Sequence, residues 1–237
     1  METLRVGVAA PDPPFNSMPD GDGLDLDLMR AIGDKIGATV EFVDYEGADF
    51  TGIFDALGDG AYDCVAAGTT VTPERERNAT FVAPYLISGQ ALAVDSRRLP
   101  EVTSVDDLDG LIIGVQRGST SQAIAERLVD DGRAGAVRVY DYNAVRTALT
   151  DLSSGGCDAF LKLAPVLTEL VKPLPGVEVV QRGITVEDIA IAVAPGNQAL
   201  LGRLTVAQAE LEAEGALQRI RRKWLGNPFT DQSLAVH

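Results

Sequence analysis

The sequence alternates short apolar runs with segments of helical periodicity, and it does so twice. In the first set, the strand-like runs "LRVGVA", "ATVEFVDY" and "DCVAAG" are separated by a helical face of Leu28, Ile32 and Ile36 and by "IFDALGDG". In the second set, "LIIGVQ", "VRVYDY", "DAFLKL" and "VEVVQ" alternate with helices predicted over "SQAIAERLVDD", after Asn143 and over "PVLTELV". Each β-α-β order favours a parallel sheet covered by helices.

Two further strand-like runs, "YLISGQALAVD" and "ITVEDIAIAV", follow the first and second sets, and two helical segments come last. If these terminal helices pack on the first set, the second set is an insertion reached by two crossings. We therefore predict an α/β protein of two lobes, each a mostly parallel sheet flanked by helices, joined by two hinge strands. Lobe 1 is residues 1–88 plus 188–237, and lobe 2 is residues 89–187. Periodicity leaves open one continuous doubly wound sheet.

Composition narrows the classes of function. With 35 acidic against 20 basic residues and a net charge of −15, the chain is unsuited to nucleic acid. The single histidine is His237, the last residue, which argues against a histidine base, a Ser/His triad or a histidine-rich metal site. Cys64 and Cys157 lie in predicted buried strands of different sets, so we expect two buried free thiols; one disulfide between them is the alternative. The acidic loop "PDGDGLDLD" lacks EF-hand spacing, and we predict neither metal nor cofactor.

Two loops have features of anion sites. In "GTTVTPER", a strand ends, Thr72 is a suitable N-cap, Pro73 suits the first helical position, and Arg75 falls in the first turn. Together with Thr70 and the helix dipole, the guanidinium fork of Arg75 would form a carboxylate site; a capped helix with a solvated arginine is the alternative. In "VQRGSTSQ", Gly118 opens a turn, and Ser119 and Thr120 precede a second helix.

The chain resembles the extracytoplasmic solute-binding proteins of amino-acid ABC transporters, the polar amino-acid family that includes glutamine- and histidine-binding proteins. The resemblance rests on "LRVGVA…PPF", "GDGLDLDLMRAIGDKIG", "IIGVQRGSTS", "IAIAVAPGNQALL" and above all the block from "DFTGIFDAL" through "TTVTPERERNATFVAPY". It implies a periplasmic-binding-protein-like fold of type II whose two lobes close over a small ligand. It also implies ABC transporter membrane subunits as partners and a removed leader. We expect a monomer located outside the cytoplasmic membrane, in the periplasm or lipid-anchored.

The resemblance also implies roles for individual residues. Arg75 would hold the ligand α-carboxylate, Thr70 would hydrogen-bond the ligand, and Phe50 would lie against its apolar part, while Ser119 and Thr120 would reach the carboxylate from lobe 2. The full set of predicted ligand-binding residues is Arg75, Thr70, Phe50, Thr120, Ser119, Gly68, Asp12, Lys162 and Leu163.

One position departs from the family pattern. The aspartate that binds the ligand ammonium corresponds to Leu163, and its loss would cost roughly 3–5 kcal/mol unless something compensates. Either another acid replaces it, such as Asp12 or Glu187, or the ligand lacks an α-amino group. Lys162 precedes Leu163 and could meet a second acidic group on the ligand; a solvated lysine is the alternative.

The same scaffold serves two other functions that the sequence must be weighed against. Cyclohexadienyl and arogenate dehydratases place a catalytic glutamate where this chain has Val166, and nearby Glu169 is expected to face solvent, so we predict no enzyme activity. A ligand-sensing domain of a receptor is the other alternative. Against it, the chain has no membrane insertion between the lobes and ends in "KWLGNPFTDQSLAVH".

Overall fold

The computed structural model describes residues 2–18 and 20–226, so most of the C-terminal segment just quoted lies outside the described residues. The chain forms two compact units. Unit 1 comprises Met1–Glu46, Thr51–Ile87 and Glu187–His237, and unit 2 comprises Gly47–Phe50 and Ser88–Val186. The four residues ahead of Thr51 thus belong with the second unit, although they lie within the first set of the sequence pattern.

The strands and helices follow the predicted alternation. The strands are β1 (Glu2–Ala9), β2 (Ala38–Tyr45), β3 (Cys64–Val65), β4 (Thr80–Phe81), β5 (Leu86–Ser88), β6 (Gln90–Asp95), β7 (Ile112–Gln116), β8 (Ala136–Tyr140), β9 (Ala159–Leu163), β10 (Val177–Gln181), β11 (Glu187–Ile189) and β12 (Ala192–Val193). The α-helices are α1 (Leu24–Ile36), α2 (Gly52–Gly58), α3 (Thr120–Asp130), α4 (Val145–Ser154), α5 (Ala164–Val171), α6 (Gln198–Ala213) and α7 (Ala216–Leu225).

Each unit is built on its own five-stranded sheet, so the prediction of two α/β lobes is confirmed over one continuous sheet. In unit 1 the strand order is β2-β1-β3-β12-β4, with β1 parallel to β2 and β3 and with β12 antiparallel to β3 and β4. In unit 2 the order is β10-β6-β9-β7-β8; β7 runs parallel to β8 and β9, and β6 antiparallel to β9 and β10. In each sheet four strands therefore run in one direction and one strand, β12 in unit 1 and β6 in unit 2, runs against them, so the prediction of mostly parallel sheets is confirmed.

Helix α1 shows how the apolar pattern fixes unit 1. Leu28 and Ile32, four residues apart on one face, have no exposed surface, and the helix ends at Gly37 in the left-handed conformation with φ of +70°. The predicted helical face is thus the buried one. It packs beside β2 and against α6 and α7, as expected if the terminal helices return to the first set.

Unit 2 has a core on both faces of its sheet. Along β6, Leu92 and Val94 pack into the layer that contains α3, whereas Ala91 and Ala93 pack into the layer that contains α4 and α5. This alternation is the two-residue period of a strand that is buried on both sides.

The two runs that we predicted to be continuous connecting strands are both interrupted. Residue 89 separates β5 from β6, and two residues separate β11 from β12. A Cβ atom on Gly89 would lie 1.9 Å from the carbonyl oxygen of Thr185, so only glycine fits at this point. The separate strands β5 and β11 pair with each other in a two-stranded sheet.

The cysteines and the lengths of the helices complete the description of the fold. Cys64, in unit 1, and Cys157, in unit 2, are both buried and free. Over the described ranges, no helix has the length and apolar character required to cross a membrane.

Candidate ligand-binding site

The nine predicted ligand-binding residues are divided between the two units. Unit 1 holds Gly68, Thr70, Arg75 and Asp12, and unit 2 holds Phe50, Ser119, Thr120, Lys162 and Leu163.

In unit 1, two loops leave the sheet at the same edge, because β1 and β3 are parallel neighbours. Gly68, in the loop after β3, has φ of +55°, and a Cβ atom on it would lie 3.0 Å from the ring of Phe15 in the loop after β1. Glycine at 68 therefore permits both a left-handed backbone and the close approach of the two loops.

Arg75 is buried, with 7% of its surface exposed. Its Nη1 donates to the carbonyl oxygen of Thr70 at 2.9 Å, and its guanidinium carbon lies 5.5 Å from the centroid of the Phe54 ring. These contacts hold a planar group of five N–H donors in one orientation, as two-oxygen recognition of a carboxylate requires. A solvated arginine, the alternative, does not fit this burial.

The helix dipole expected at Arg75 is wrong. Arg75–Arg77 form a single 3-10 turn rather than the start of an α-helix, so no aligned stack of peptide dipoles stands behind the loop. The hydroxyl of Thr72 does accept a hydrogen bond from the Arg75 main-chain N–H at 3.2 Å, as predicted for a cap. Positive charge at this loop therefore comes from the side chain.

Thr70 connects Arg75 to an acid on another strand. Its hydroxyl donates to Oε2 of Glu187 at 2.6 Å, and both residues are buried, with 5% and 7% exposure. The pairing is set by backbone register, because Thr70 forms a bridge with Ile189 and the Val71 N–H donates to the Asp188 carbonyl at 2.8 Å. The sequence offered Glu187 only as one of two acids near the site; its contact with Thr70 depends on a pairing 117 residues apart.

A second buried acid lies beneath the loop. Asp25, in the first turn of α1, accepts from the Tyr85 hydroxyl at 2.5 Å and from the Gly68 N–H at 2.7 Å. Burial raises the pKa of Asp25 to about 7, and the nearby charge of Asp12 adds to the rise, while the two hydrogen bonds oppose it. Sequence reasoning missed Asp25. The available signal was an acid between apolar residues at the start of the helix, in "LDLDLM".

Asp12 lies in the loop after β1 with 4% exposure. Its main-chain N–H donates to the Asn16 side-chain oxygen at 3.0 Å, and Asn16 in turn donates to the carbonyl of Ala9 at 2.7 Å. The loop is thus braced from within, and it carries a carboxylate to the same sheet edge as Gly68.

In unit 2, the predicted hydroxyl of Thr120 is oriented by a glutamine that sequence reasoning missed. Gln90, only 1% exposed, donates to the Thr120 hydroxyl at 3.0 Å and accepts from the Ser121 hydroxyl at 2.6 Å. Ser119 donates its hydroxyl to the carbonyl of Gln116 at 2.6 Å. A polar residue directly after Gly89, inside an apolar strand, was the available signal.

Lys162 is buried, so the solvated alternative is wrong for this lysine. It is 5% exposed, donates to Oε1 of Gln116 at 2.5 Å and lies 5.1 Å from the centroid of the Tyr142 ring. The Gln116 amide also donates to the carbonyl of Tyr142. The Lys162 side chain is thus held by an amide oxygen and lies against an aromatic ring.

Phe50 and Leu163 complete the predicted set. The Phe50 ring packs on Tyr142 with centroids 4.9 Å apart, and its main-chain N–H donates to the Arg117 carbonyl at 3.2 Å. Leu163 is the last residue of β9, opposite Gln90, with 8% exposure. An apolar side chain therefore ends this strand, directly after Lys162.

The two positions considered for catalysis, Val166 and Glu169, both lie in α5. Val166 is 2% exposed within α5, and the Glu169 carboxylate, 19% exposed, pairs with Lys172 at 2.5 Å instead of facing solvent freely. Within residues 2–18 and 20–226, no three His, Cys, Asp or Glu side chains are grouped so that they could hold a metal ion.

Comparison with known proteins places this geometry in context. The sequence profile described as bacterial extracellular solute-binding proteins, family 3, matches residues 4–227. The ABC transporter arginine-binding protein 1 of Escherichia coli (strain K12) is 29% identical over 231 residues, which cover 94% of this chain and 90% of the relative.

Two solved structures show the same fold. An ancestral arginine-binding protein bound to arginine superposes with a TM-score of 0.86 at 36% identity, covering 95% of this chain and 99% of the other. The ancestral amino acid-binding protein AncCDT-1, a precursor of cyclohexadienyl dehydratase, superposes with a TM-score of 0.82 at 30% identity, covering 94% and 95%.

Proposed function

The chain belongs to the bacterial extracellular solute-binding proteins, family 3, and from this premise we propose that it binds an amino acid or a related carboxylate through Arg75. Its relatives are amino-acid-binding proteins of ABC transporters, so the bound solute is delivered to transporter membrane subunits outside the cytoplasm. The observation that carries the proposal is the buried guanidinium of Arg75, held by the Thr70 carbonyl and the Phe54 ring.

The physical reason is preorganisation. A guanidinium whose orientation is already fixed loses little side-chain entropy when a carboxylate arrives, and its donors match the two carboxylate oxygens. A charge-assisted bond of this kind contributes about 1.5–3 kcal/mol, or roughly 10-fold to 150-fold in affinity.

A thermal-shift screen tests the proposal. The purified protein is melted in the presence of each standard L-amino acid, the deaminated acids, dicarboxylates, and amines that lack the carboxylate. Saturating ligand should raise the melting temperature by linkage, and amines without the carboxylate should not. Calorimetric titration then gives the dissociation constant for the best ligand.

Two arginine variants sharpen the test. Arg75→Ala should weaken binding about 10-fold to 150-fold. Arg77→Ala, in the same 3-10 turn but with a side chain 70% exposed, is the matched control and should bind as the wild type does. Equal affinity in wild type and Arg75→Ala would refute the role of Arg75.

The contribution of unit 2 stays a prediction. Thr120 is held by Gln90, and Lys162 by Gln116, so both are ordered groups that a ligand could meet without further cost in side-chain freedom. Thr120→Val and Lys162→Met should each weaken binding if these residues contact the ligand, whereas Lys172→Met, at an exposed lysine, should not.

An enzyme is the second candidate function, favoured by the likeness to a precursor of cyclohexadienyl dehydratase. We propose binding without turnover, because the position that resembles the dehydratase acid is the buried Val166. Incubation with prephenate and with arogenate should yield no product; turnover abolished by an Arg75 substitution would overturn this.

We also propose that the protein is a monomer, which should elute from a gel-filtration column as a 25.0 kDa species.

A further inference from the structure

Asp25 holds two separate segments of unit 1 together. It lies in the first turn of α1 and has no exposed surface. Its Oδ1 accepts the Tyr85 hydroxyl at 2.5 Å, and its Oδ2 accepts the Gly68 main-chain N–H at 2.7 Å. Neither of these bonds is to α1 itself, so they do not cap the helix. A fully buried carboxyl group is costly to retain, which points to a role for the bonds that it makes.

Tyr85 fixes the carboxyl group from one side. The tyrosine is fully buried, and its main-chain N–H donates to the Ile189 carbonyl, in β11, at 2.9 Å. Its own carbonyl accepts Nη1 of Arg221, in α7, at 2.9 Å. The hydroxyl that bonds Asp25 is therefore carried by a residue that two other elements hold in place. With Oδ1 fixed in this way, Oδ2 is directed at the Gly68 N–H.

Gly68 forms a turn between two anchored points of the loop after β3. Before it, the Ala66 N–H donates to the Gly7 carbonyl at 3.0 Å. After it, the Thr69 carbonyl accepts the Ala190 N–H at 3.0 Å. Between these points the chain passes through Gly68 with φ of +55°. Glycine adopts positive and negative φ almost equally well, so this residue does not fix its own conformation, and the bond to the buried carboxyl group does.

The orientation of the Arg75 guanidinium depends on the same turn. Thr70 follows Gly68 by two residues, and its carbonyl oxygen accepts Nη1 of Arg75 at 2.9 Å. A rotation of the peptide planes at Gly68 would move this carbonyl and, with it, the N–H donors that the proposed function assigns to the ligand carboxylate. The geometry of the carboxylate site is thus linked through the main chain to the position of the Gly68 N–H.

We propose that Asp25 is a positioning residue for ligand binding: it fixes the turn at Gly68 and thereby the orientation of the carboxylate-binding donors of Arg75. This inference rests on the proposed function and adds a buried residue that acts through the main chain of the loop. Without the acceptor at position 25, the turn samples other conformations. The apparent affinity then falls by the fraction of molecules whose loop is in the binding conformation.

Variants at position 25 test the inference. The probe is the standard amino acid or carboxylate of highest affinity in the thermal-shift screen. It is titrated calorimetrically at pH 8, above the pKa of about 7 to which burial raises Asp25. Asp25→Leu and Asp25→Ala remove the acceptor and should weaken binding about 10-fold. Asp25→Asn keeps an oxygen that can accept the Gly68 N–H and should recover most of this loss.

Two core variants of the same helix are the matched controls. Leu28→Ala and Ile32→Val also remove buried atoms from α1, one and two turns further along, but do not alter the acceptor of the Gly68 N–H. They should lower the melting temperature and leave the affinity of the folded protein unchanged. Hydrogen exchange of the Gly68 amide without ligand, followed by NMR relative to the amides of β1, should be at least about 10-fold faster in Asp25→Leu and unchanged in both controls.

The outcomes separate this inference from the proposed function. If Arg75→Ala weakens binding while folded Asp25→Leu and Asp25→Ala bind as the wild type does, only the inference is overturned. Equal losses in Asp25→Asn and Asp25→Leu, or a matching loss in Leu28→Ala, also overturn it. If neither variant without the acceptor folds, Tyr85→Phe decides: weaker binding with faster Gly68 exchange supports the inference, and wild-type values overturn it. If no probe binds the wild type, the proposed function fails and this inference fails with it.

Discussion

Replacing Asp25 with asparagine should flatten the dependence of folding stability on pH between pH 5 and 8. Burial raises the pKa of Asp25 from its usual 3.8 to about 7. The folded state therefore binds this proton more tightly than the unfolded chain does. Its contribution to the free energy of unfolding is fully present below the unfolded pKa and is lost as pH rises through the folded pKa.

The magnitude follows from the two pKa values. A difference of about three units corresponds to about 4 kcal/mol, of which about 2.5 kcal/mol is lost between pH 5 and 8. Asparagine fits the site, because its side-chain oxygen can accept the Gly68 N–H and its amide can donate to the Tyr85 hydroxyl oxygen. The Asn variant should therefore fold but lose this pH-dependent term.

Thermal unfolding followed by circular dichroism at pH 5, 6, 7 and 8 measures the effect. The free energy of unfolding of Asp25→Asn, measured relative to that of the wild type, should rise by about 2.5 kcal/mol from pH 5 to pH 8. This corresponds to about 5–10 °C in melting temperature for a chain of this size. The matched control is Asp27→Asn in the same helix. Burial alone would raise the pKa of Asp27, but hydrogen bonds from Lys223 and Trp224 lower it. The contribution of Asp27 to the free energy of unfolding is therefore lost only at more acidic pH. Parallel stability curves for wild type and Asp25→Asn would refute a raised pKa.

Three further predictions concern stability and reactivity. Gly89→Ala should destabilise the protein by about 3 kcal/mol or prevent folding, because its Cβ would lie 1.9 Å from a backbone carbonyl oxygen. The control is Gly58→Ala, whose Cβ would meet no atom within 4 Å and which should be neutral or slightly stabilising. Urea unfolding measures both variants. Arg221→Met should lower the free energy of unfolding by about 3 kcal/mol, since this 1% exposed arginine pairs with a carboxylate in two bonds and also satisfies a main-chain carbonyl; a urea midpoint equal to wild type would contradict this. Burial raises the pKa of the Cys64 and Cys157 thiols, so both should react with a disulfide reagent at pH 8 only after denaturation; rapid labelling of the folded protein would contradict this.

The alternation of strands and helices was predictable because it depends on local periodicity. The face of α1 that carries Leu28 and Ile32 is the buried face, and β6 buries residues on both sides as an apolar run should. The breaks in the connecting strands were not predictable in the same way. Gly89 is required by the approach of Thr185, which is 96 residues away in sequence and therefore leaves no local signal.

The same distinction between local signals and contacts of distant segments applies to the candidate site. Arg75 and Thr70 could be chosen from a short segment, because residue type and turn chemistry pointed to an anion. Glu187, Gln90 and Tyr142 could not be ranked, since each gains its contact through strand pairing or loop packing between distant segments. The prediction of a helix dipole at Arg75 was wrong for a different reason. The segment forms a single 3-10 turn, and sequence propensity does not distinguish such a turn from the start of an α-helix.

Two buried arginines of unit 1 differ in what holds them. Arg221 makes two bonds to the Glu212 carboxylate and one to a main-chain carbonyl, so its role is accounted for within the fold. Arg75 donates to the main-chain carbonyl of Thr70 and lies over the ring of Phe54, in the loop after β3. A guanidinium oriented in this way can receive a carboxylate at little cost in side-chain entropy, which is the physical basis of the binding role that we propose for Arg75.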